Sequence, residues 1–321
     1  MKILVYGAGV LGSYLAHELN QGQHHDVTIL ARGKRYEAIK QNGLVINHVR
    51  QKSETVDKLH VVNQLKAEDA YDVIFVVMQK SQLNSILQVL AENTTSKVIV
   101  FIGNNTEADI TYKKFMQHSH SKPTVLFRFL SCGGRREGEK VYSWHSNNYD
   151  ITLGTVNKMK IDKNNWKKVI LGTHLKLDLK PDMNAWLKYH SALITPLCMA
   201  IQYEDGETKK LHHSKVLKLS IEALKECLCM FEHMGFLKDS PHDMKLLKWP
   251  TTLLYYAMAL LLPTKTGRLI AISHALAAKS EVEMLKEELL NCSKTYHYPL
   301  PSFNMLCELH NEKHLLSSNY L

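Results

Sequence analysis

The stretch Lys2-Ile3-Leu4-Val5-Tyr6-Gly7-Ala8-Gly9-Val10-Leu11-Gly12 decides how this 321-residue chain folds. Residues 2–6 form a short apolar run of strand type, and Leu15, Ala16 and Leu19 continue beyond the glycines at helical spacing. Strand, GxGxxG turn and helix in that order open a βαβ unit that binds a dinucleotide. The first glycine permits the tight turn, the second lets the backbone approach a pyrophosphate, and the third allows close helix–strand packing. The free N–H groups and positive dipole end of the helix complete an anion site. Gly7, Ala8, Gly9, Val10, Leu11 and Gly12 are therefore the candidate cofactor-binding residues.

The end of the second strand chooses between the two nicotinamide dinucleotides. An acidic residue there accepts hydrogen bonds from the ribose 2′-hydroxyl of NAD. This chain reads Ile29-Leu30-Ala31-Arg32-Gly33-Lys34-Arg35 instead. Arginine suits a 2′-phosphate through a charge-assisted, often bidentate contact. The expectation is NADP, with Arg32 as the main contact and Lys34 or Arg35 assisting.

Outward from this unit, apolar runs at 2–6, 26–31, 72–78, 97–102 and 124–129 alternate with helical patterns at 10–20, 33–42 and 81–92. A further extended pair lies near 139–144 and 150–154. Such alternation predicts an α/β, Rossmann-like, doubly wound parallel sheet with helices on both faces. From Trp186 onward the pattern turns helical. Val216, Leu217, Ile221, Leu224, Leu228 and Phe231 recur at three- and four-residue steps within 213–234, and Gly235 sits where that helix stops. Pro250 opens or kinks the next helix, and 268–290 reads as another. Polar and basic residues thicken over 155–182, which reads as a linker. The expected domains are 1–178, binding NADP, and 179–321, an all-helical substrate and dimerisation domain.

Composition narrows the function classes. Hydrophobic residues make up 45% and charged residues 22%, the balance of a globular protein, and the net charge is +9. The cations are spread along the chain, so a phosphorylated cofactor or acidic substrate fits them and nucleic acid is not expected. Cys132, Cys198, Cys227, Cys229, Cys292 and Cys307 lack any disulfide-framework spacing and read as reduced thiols of a cytoplasmic protein. Lys2 leads straight into the first strand, so no signal peptide is expected. The most apolar stretch, Leu253 to Leu262, is about half of what a spanning helix needs, so no membrane insertion is expected. The histidines include no HExxH and no zinc-type Cys/His grouping. His310 and His314, four apart near Cys307, are too sparse, and no metal site is expected. Cys132-Gly133-Gly134-Arg135-Arg136 reads as a basic turn, and no GxSxG or P-loop lysine is present.

With these residues in view, the sequence resembles the ketopantoate reductase (2-dehydropantoate 2-reductase) family, as a divergent member. The landmarks are Gly7-Ala8-Gly9-Val10-Leu11-Gly12, Leu30-Ala31-Arg32 followed by Gly43-Leu44, Gly103-Asn104-Asn105, and Trp186-Leu187-Lys188 ahead of Pro196-Leu197. The resemblance implies a Rossmann domain followed by a helical one, with the active site in the cleft between. It implies Lys188 as the catalytic residue, since an ammonium stabilises the charge left on a reduced carbonyl oxygen and donates the proton. Asn104 matches the family asparagine that reaches cofactor and substrate. Gln79 stands where the family has a cofactor-region lysine, with Lys80 displaced by one.

The family has asparagines one and two turns beyond the lysine; counting forward from Lys188 places Ala192 and Pro196 there, while counting back from Pro196, with one deletion, places Ser191 and Thr195 there. The second register keeps hydroxyls four apart on one helix face and makes Ser191 and Thr195 the substrate-binding candidates. The late acidic signature is absent, with Thr264-Lys265-Thr266-Gly267-Arg268 in its approximate place; His274 and Glu283 read as core or surface residues. The implied activity is NADPH-dependent reduction of a small 2-oxo acid, by a homodimer paired through apolar helix faces. The departures at Gln79, Ser191 and Thr195 motivate an alternative, an NADP(H)-binding sensor or scaffold without reductase activity. A further alternative is a related dehydrogenase with a different carbonyl or imine substrate.

Overall fold

The computed structural model describes residues 1–130, 132–145, 149–236 and 249–318; the side chain of His314 lies outside the described set. The chain forms two units, each with its own hydrophobic core. The first comprises Met1–Asn104 and Ala108–Met183, the second Asn105–Glu107 and the residues from Asn184 onward.

The strands of the first unit are β1 (Lys2–Tyr6), β2 (Asp26–Leu30), β3 (Leu44–His48), β4 (Ser53–Asp57), β5 (His60–Val62), β6 (Val73–Val77), β7 (Val98–Ile102), β8 (Thr124–Leu130), β9 (Gly133–Glu137), β10 (Lys140–Trp144), β11 (Tyr149–Gly154) and β12 (Leu175–Lys180). The main sheet has the order β12-β11-β8-β7-β6-β1-β2-β5, parallel except where β11 meets β8. A parallel sheet covered on both faces needs apolar residues at successive positions. Ile3-Leu4-Val5 and Val73-Ile74-Phe75-Val76-Val77 are buried throughout. Helix α1 (Val10–Gln21) carries the crossover from β1 to β2, burying Leu15, Ala16 and Leu19. Because β1 lies between β6 and β2, the chain departs in opposite directions on its two sides. That is a topological switch point, at the carboxyl edge where such sheets bind ligands.

A second sheet of order β4-β3-β10-β9 belongs to the same unit, and the sequence reading did not foresee it as a sheet. β4 (Ser-Glu-Thr-Val-Asp) and β9 (Gly-Gly-Arg-Arg-Glu) hold almost no apolar residues; pairing with β3 and β10 makes them strands against their propensity. The expected linker at 155–182 is also corrected. It contains the helix Lys163–Val169, capped by Asp162 accepting from the N–H groups of Asn164 and Asn165. It also contains β12, paired in parallel with β11. Trp166 on that helix meets Phe75 edge-on, with ring centroids 6.2 Å apart. The division between the units falls at Met183/Asn184, past the strand that contains Asp178.

The second unit is built on the helices Met183–Tyr203, Lys215–His233, Thr251–Leu261, Lys279–Tyr296 and Pro301–Ser318. The apolar stripe read at 213–234 becomes Lys215–His233, capped by Ser214, with Val216, Leu217, Leu224, Leu228 and Phe231 in the core. Pro250 immediately precedes Thr251, where its missing N–H costs nothing. The expected single helix over 268–290 is interrupted. A wide turn at Arg268–Ile272 and the short helix Ser273–Ala277 precede Lys279–Tyr296. Pro196 lies inside Met183–Tyr203 without ending it. Among the described residues no helix is long and apolar enough to cross a membrane.

Candidate functional site

The glycine turn distributes its roles sharply. Gly7 has φ +121°, and a Cβ there would lie 2.3 Å from the Val77 carbonyl oxygen. A Cβ on Gly12 would lie 1.9 Å from the Gly7 carbonyl oxygen. Both are demanded by the fold. Gly9 is different: its φ of −74° suits any residue, and nothing lies within 4 Å of where its Cβ would be. The space is left open where a ligand backbone would approach. Gly9 is also the N-cap of α1, no side chain caps it, and the first turn carries no acidic residue. The N–H groups there are oriented toward an anion and unopposed by negative charge, so the residues present fit the pyrophosphate of a dinucleotide.

Arg32 and Lys34, just past β2, are exposed, and between them Gly33 has φ +53° with open space around it. Arg35 is turned inward instead. Its guanidinium donates to the Ala8 carbonyl (3.3 Å), to Ser13 Oγ (3.3 Å) and to the Glu139 carbonyl. Burial, and secondarily Arg136, draws its pKa down to about 10, so it is charged at neutral pH. Gln79 is exposed just beyond β6. Asn104 is buried just beyond β7, after Gly103 at φ +136°. The glycine turn, Arg32, Gln79 and Asn104 thus follow the carboxyl ends of four adjacent parallel strands, β2-β1-β6-β7.

The second unit gathers the other candidates. Lys188 is only 3% exposed. Its ammonium donates to the Thr106 carbonyl (2.7 Å) and to Asn184 Oδ1 (2.8 Å), and lies 4.6 Å from the centre of the Phe236 ring. The Thr106 N–H in turn donates to Glu288 Oε2 at 2.8 Å. Asn184, Lys188, Ser191 and Thr195 follow steps of four, three and four along Met183–Tyr203, so they share one helix face. The hydroxyls of Ser191, Thr195 and Thr106 are fully buried without a hydrogen-bond partner. Leaving such a group unsatisfied costs about 1–3 kcal/mol, so a helix face bearing them beside an ammonium is suited to a polar ligand.

Sequence reasoning overlooked Asn184, Thr106, Phe236 and Glu288. Asn184 was within reach, since it sits one turn ahead of Lys188. Glu288 and Thr106 are 182 positions apart and no local pattern joins them. His310 binds Gln202 (2.8 Å) and Glu283 (3.2 Å), and no group of three or more His, Cys, Asp or Glu suited to a metal ion occurs among the described residues.

A Rossmann-like parallel-sheet unit opened by a glycine turn, together with a helical unit, defines the α/β fold class of the chain. Residues 3–158 match the family model of ketopantoate reductase PanE/ApbA. Through that stretch the chain is similar to the ketopantoate reductase family. A 2-dehydropantoate 2-reductase of Mesorhizobium japonicum is 31% identical over 91 residues, 28% of this chain. That match spans only 27% of the relative's length. The fold extends further: a 2-dehydropantoate 2-reductase from Methylococcus capsulatus superposes with a TM-score of 0.73 at 14% identity, covering 99% of this chain and 97% of that one. D-mandelate dehydrogenase, in a ternary structure with NADH and anilino(oxo)acetate, gives 0.71 at 17% identity, covering 98% of each chain.

Proposed function

We propose that the protein is an NADPH-dependent reductase of a small 2-oxo acid. The observation that carries this reading is the open Gly9 position at the uncapped start of α1, with the exposed Arg32 at the end of the neighbouring strand. The peptide N–H groups of the glycine turn hold the pyrophosphate, Arg32 pairs with the 2′-phosphate, and Gln79 and Asn104 serve the rest of the cofactor from the ends of β6 and β7. When bound, the nicotinamide supplies a hydride to the substrate carbonyl carbon. The Lys188 ammonium stabilises the charge gathering on the carbonyl oxygen and gives that oxygen its proton. The Thr106 carbonyl and Asn184 fix the ammonium. Ser191 and Thr195 offer their hydroxyls to the substrate's polar groups.

The test is oxidation of NADPH by purified protein across a panel of 2-oxo acids with ketopantoate among them. Turnover with one or more supports the reading, and its absence with every acid contradicts it. A second reading, NADPH binding without chemistry, is favoured by the exposed Gln79 and by hydroxyls where the family has asparagines. Tight binding with no turnover on carbonyl or imine substrates selects it. The reading includes a homodimer, which light scattering checks as twice the chain's 36.7 kDa. It also includes a cytoplasmic location, which fits six cysteines none of which is joined in a disulfide.

A further inference from the structure

We infer that Arg35 is a positioning residue for the dinucleotide site: it aims the glycine turn at the pyrophosphate and leaves the 2′-phosphate to Arg32. The inference rests on the proposed cofactor site. Arg35 lies on the helix Lys34–Asn42, beyond the strand end that selects the 2′-substituent. The residue is only 9% exposed, and its guanidinium donates to protein oxygens on three separate segments. These are the Ala8 carbonyl in the glycine turn, Ser13 Oγ in the first turns of α1, and the Glu139 carbonyl between β9 and β10. Ser13 Oγ itself donates to the same Ala8 carbonyl at 3.3 Å. That oxygen therefore receives two hydrogen bonds from one side.

The consequence follows from peptide geometry. In a planar trans peptide the carbonyl of one residue and the N–H of the next point in opposite directions. Holding the Ala8 oxygen toward Arg35 and Ser13 points the Gly9 N–H the other way. It also keeps an electron-rich carbonyl from facing the phosphates. The planar guanidinium suits this work because its donors are fixed in one fork; a lysine ammonium is a point charge and cannot reproduce it. Arg35 thus acts through the turn, and every ligand that carries the pyrophosphate should feel its loss equally.

Fluorescence titration of NADPH and NADH, together with 2′-AMP and ADP-ribose, tests this on wild-type protein and on Arg35→Ala, Arg35→Lys, Ser13→Ala and Arg32→Ala. Arg35→Ala is expected to weaken NADPH, NADH and ADP-ribose by one common factor of about ten, the scale of a lost hydrogen bond to a charged group. It should leave 2′-AMP, which has no pyrophosphate, unchanged. Arg35→Lys should recover only part of the loss, and Ser13→Ala should show a smaller loss of the same kind. Arg32→Ala should weaken NADPH and 2′-AMP and spare NADH.

Thermal unfolding of each variant reports folding. Should Arg35→Ala not fold, Ser13→Ala carries the test. Selective loss of NADPH and 2′-AMP in Arg35→Ala would make it a 2′-phosphate ligand and overturn the inference. Unchanged affinities in a folded Arg35→Ala or Ser13→Ala also overturn it, while leaving the proposed function standing. A wild-type protein that binds neither dinucleotide removes both.

Discussion

Replacing Gly9 by alanine, beside the same change at Gly12, separates what the glycine turn does for folding from what it does for binding. The added methyl at Gly12 would lie 1.9 Å from the Gly7 carbonyl oxygen and 3.0 Å from its carbon. Both are backbone atoms of a turn that cannot move without displacing β1. Overpacking costs about 1–3 kcal/mol and sometimes more, and a backbone clash this close belongs at the upper end. At about 2–4 °C per kcal/mol for a unit of this size, Gly12→Ala should lower Tm by roughly 6–12 °C.

At Gly9 the methyl meets no protein atom within 4 Å, and the backbone angles suit alanine. Losing glycine at an N-cap costs up to about 1 kcal/mol. A stiffer unfolded chain offsets about 0.4–1 kcal/mol of it. Gly9→Ala should therefore melt within about 2 °C of wild type. Its affinity for NADPH should nonetheless fall roughly ten- to hundredfold, the equivalent of one charge-assisted hydrogen bond held at too great a distance. Circular dichroism melts and fluorescence titrations on the three proteins measure both quantities. A Gly9→Ala protein that binds NADPH as wild type does, or that melts as early as Gly12→Ala, refutes the division of roles.

Three further outcomes are expected. Arg32→Ala should raise the Kd for NADPH about tenfold or more and leave that for NADH unchanged, measured by the same titration. Lys188→Ala should slow turnover of an accepted 2-oxo acid by about 10²- to 10⁴-fold, the usual share of general acid–base catalysis, with cofactor Kd unaltered; stopped-flow absorbance of NADPH follows it. Stability should fall on the acid side in two stages. Burial, with His17 and His145 nearby, pushes His48 down to about 4, so the folded state refuses a proton that the unfolded chain accepts below 6.5, and stability declines as pH falls from there toward 4. The hydrogen bond with His310, then Lys286, holds Glu283 down at about 2, so its contribution is full above 4.5 and disappears as pH drops through that range. Urea unfolding across these windows should show a shallower lower limb in Glu283→Gln.

The fold was legible wherever local pattern and tertiary environment agree. β1, β6 and β7 are apolar at successive positions because both sheet faces are covered, and the sequence shows it directly. β9 was not legible, because Gly-Gly-Arg-Arg-Glu becomes a strand only by pairing with β10. β12 was overlooked even though Leu175-Lys176-Leu177-Asp178-Leu179-Lys180 alternates with period two; the surrounding lysines and asparagines suggested a linker and outweighed the alternation. At the site, the glycine spacing and Arg32 could be read locally. The inward turn of Arg35 could not, since Glu139 is 104 positions away. The same holds for Glu288, whose partner Thr106 lies in another part of the chain.

Calorimetric titration of the wild-type protein with NADPH, followed by NADH, bears most directly on the claim that a phosphorylated dinucleotide lies on the glycine turn. Saturable one-site binding, tighter for NADPH by about tenfold or more as a charge-assisted contact to the extra phosphate requires, is the predicted result. Absence of binding by either nucleotide, or equal affinity for the two, contradicts it.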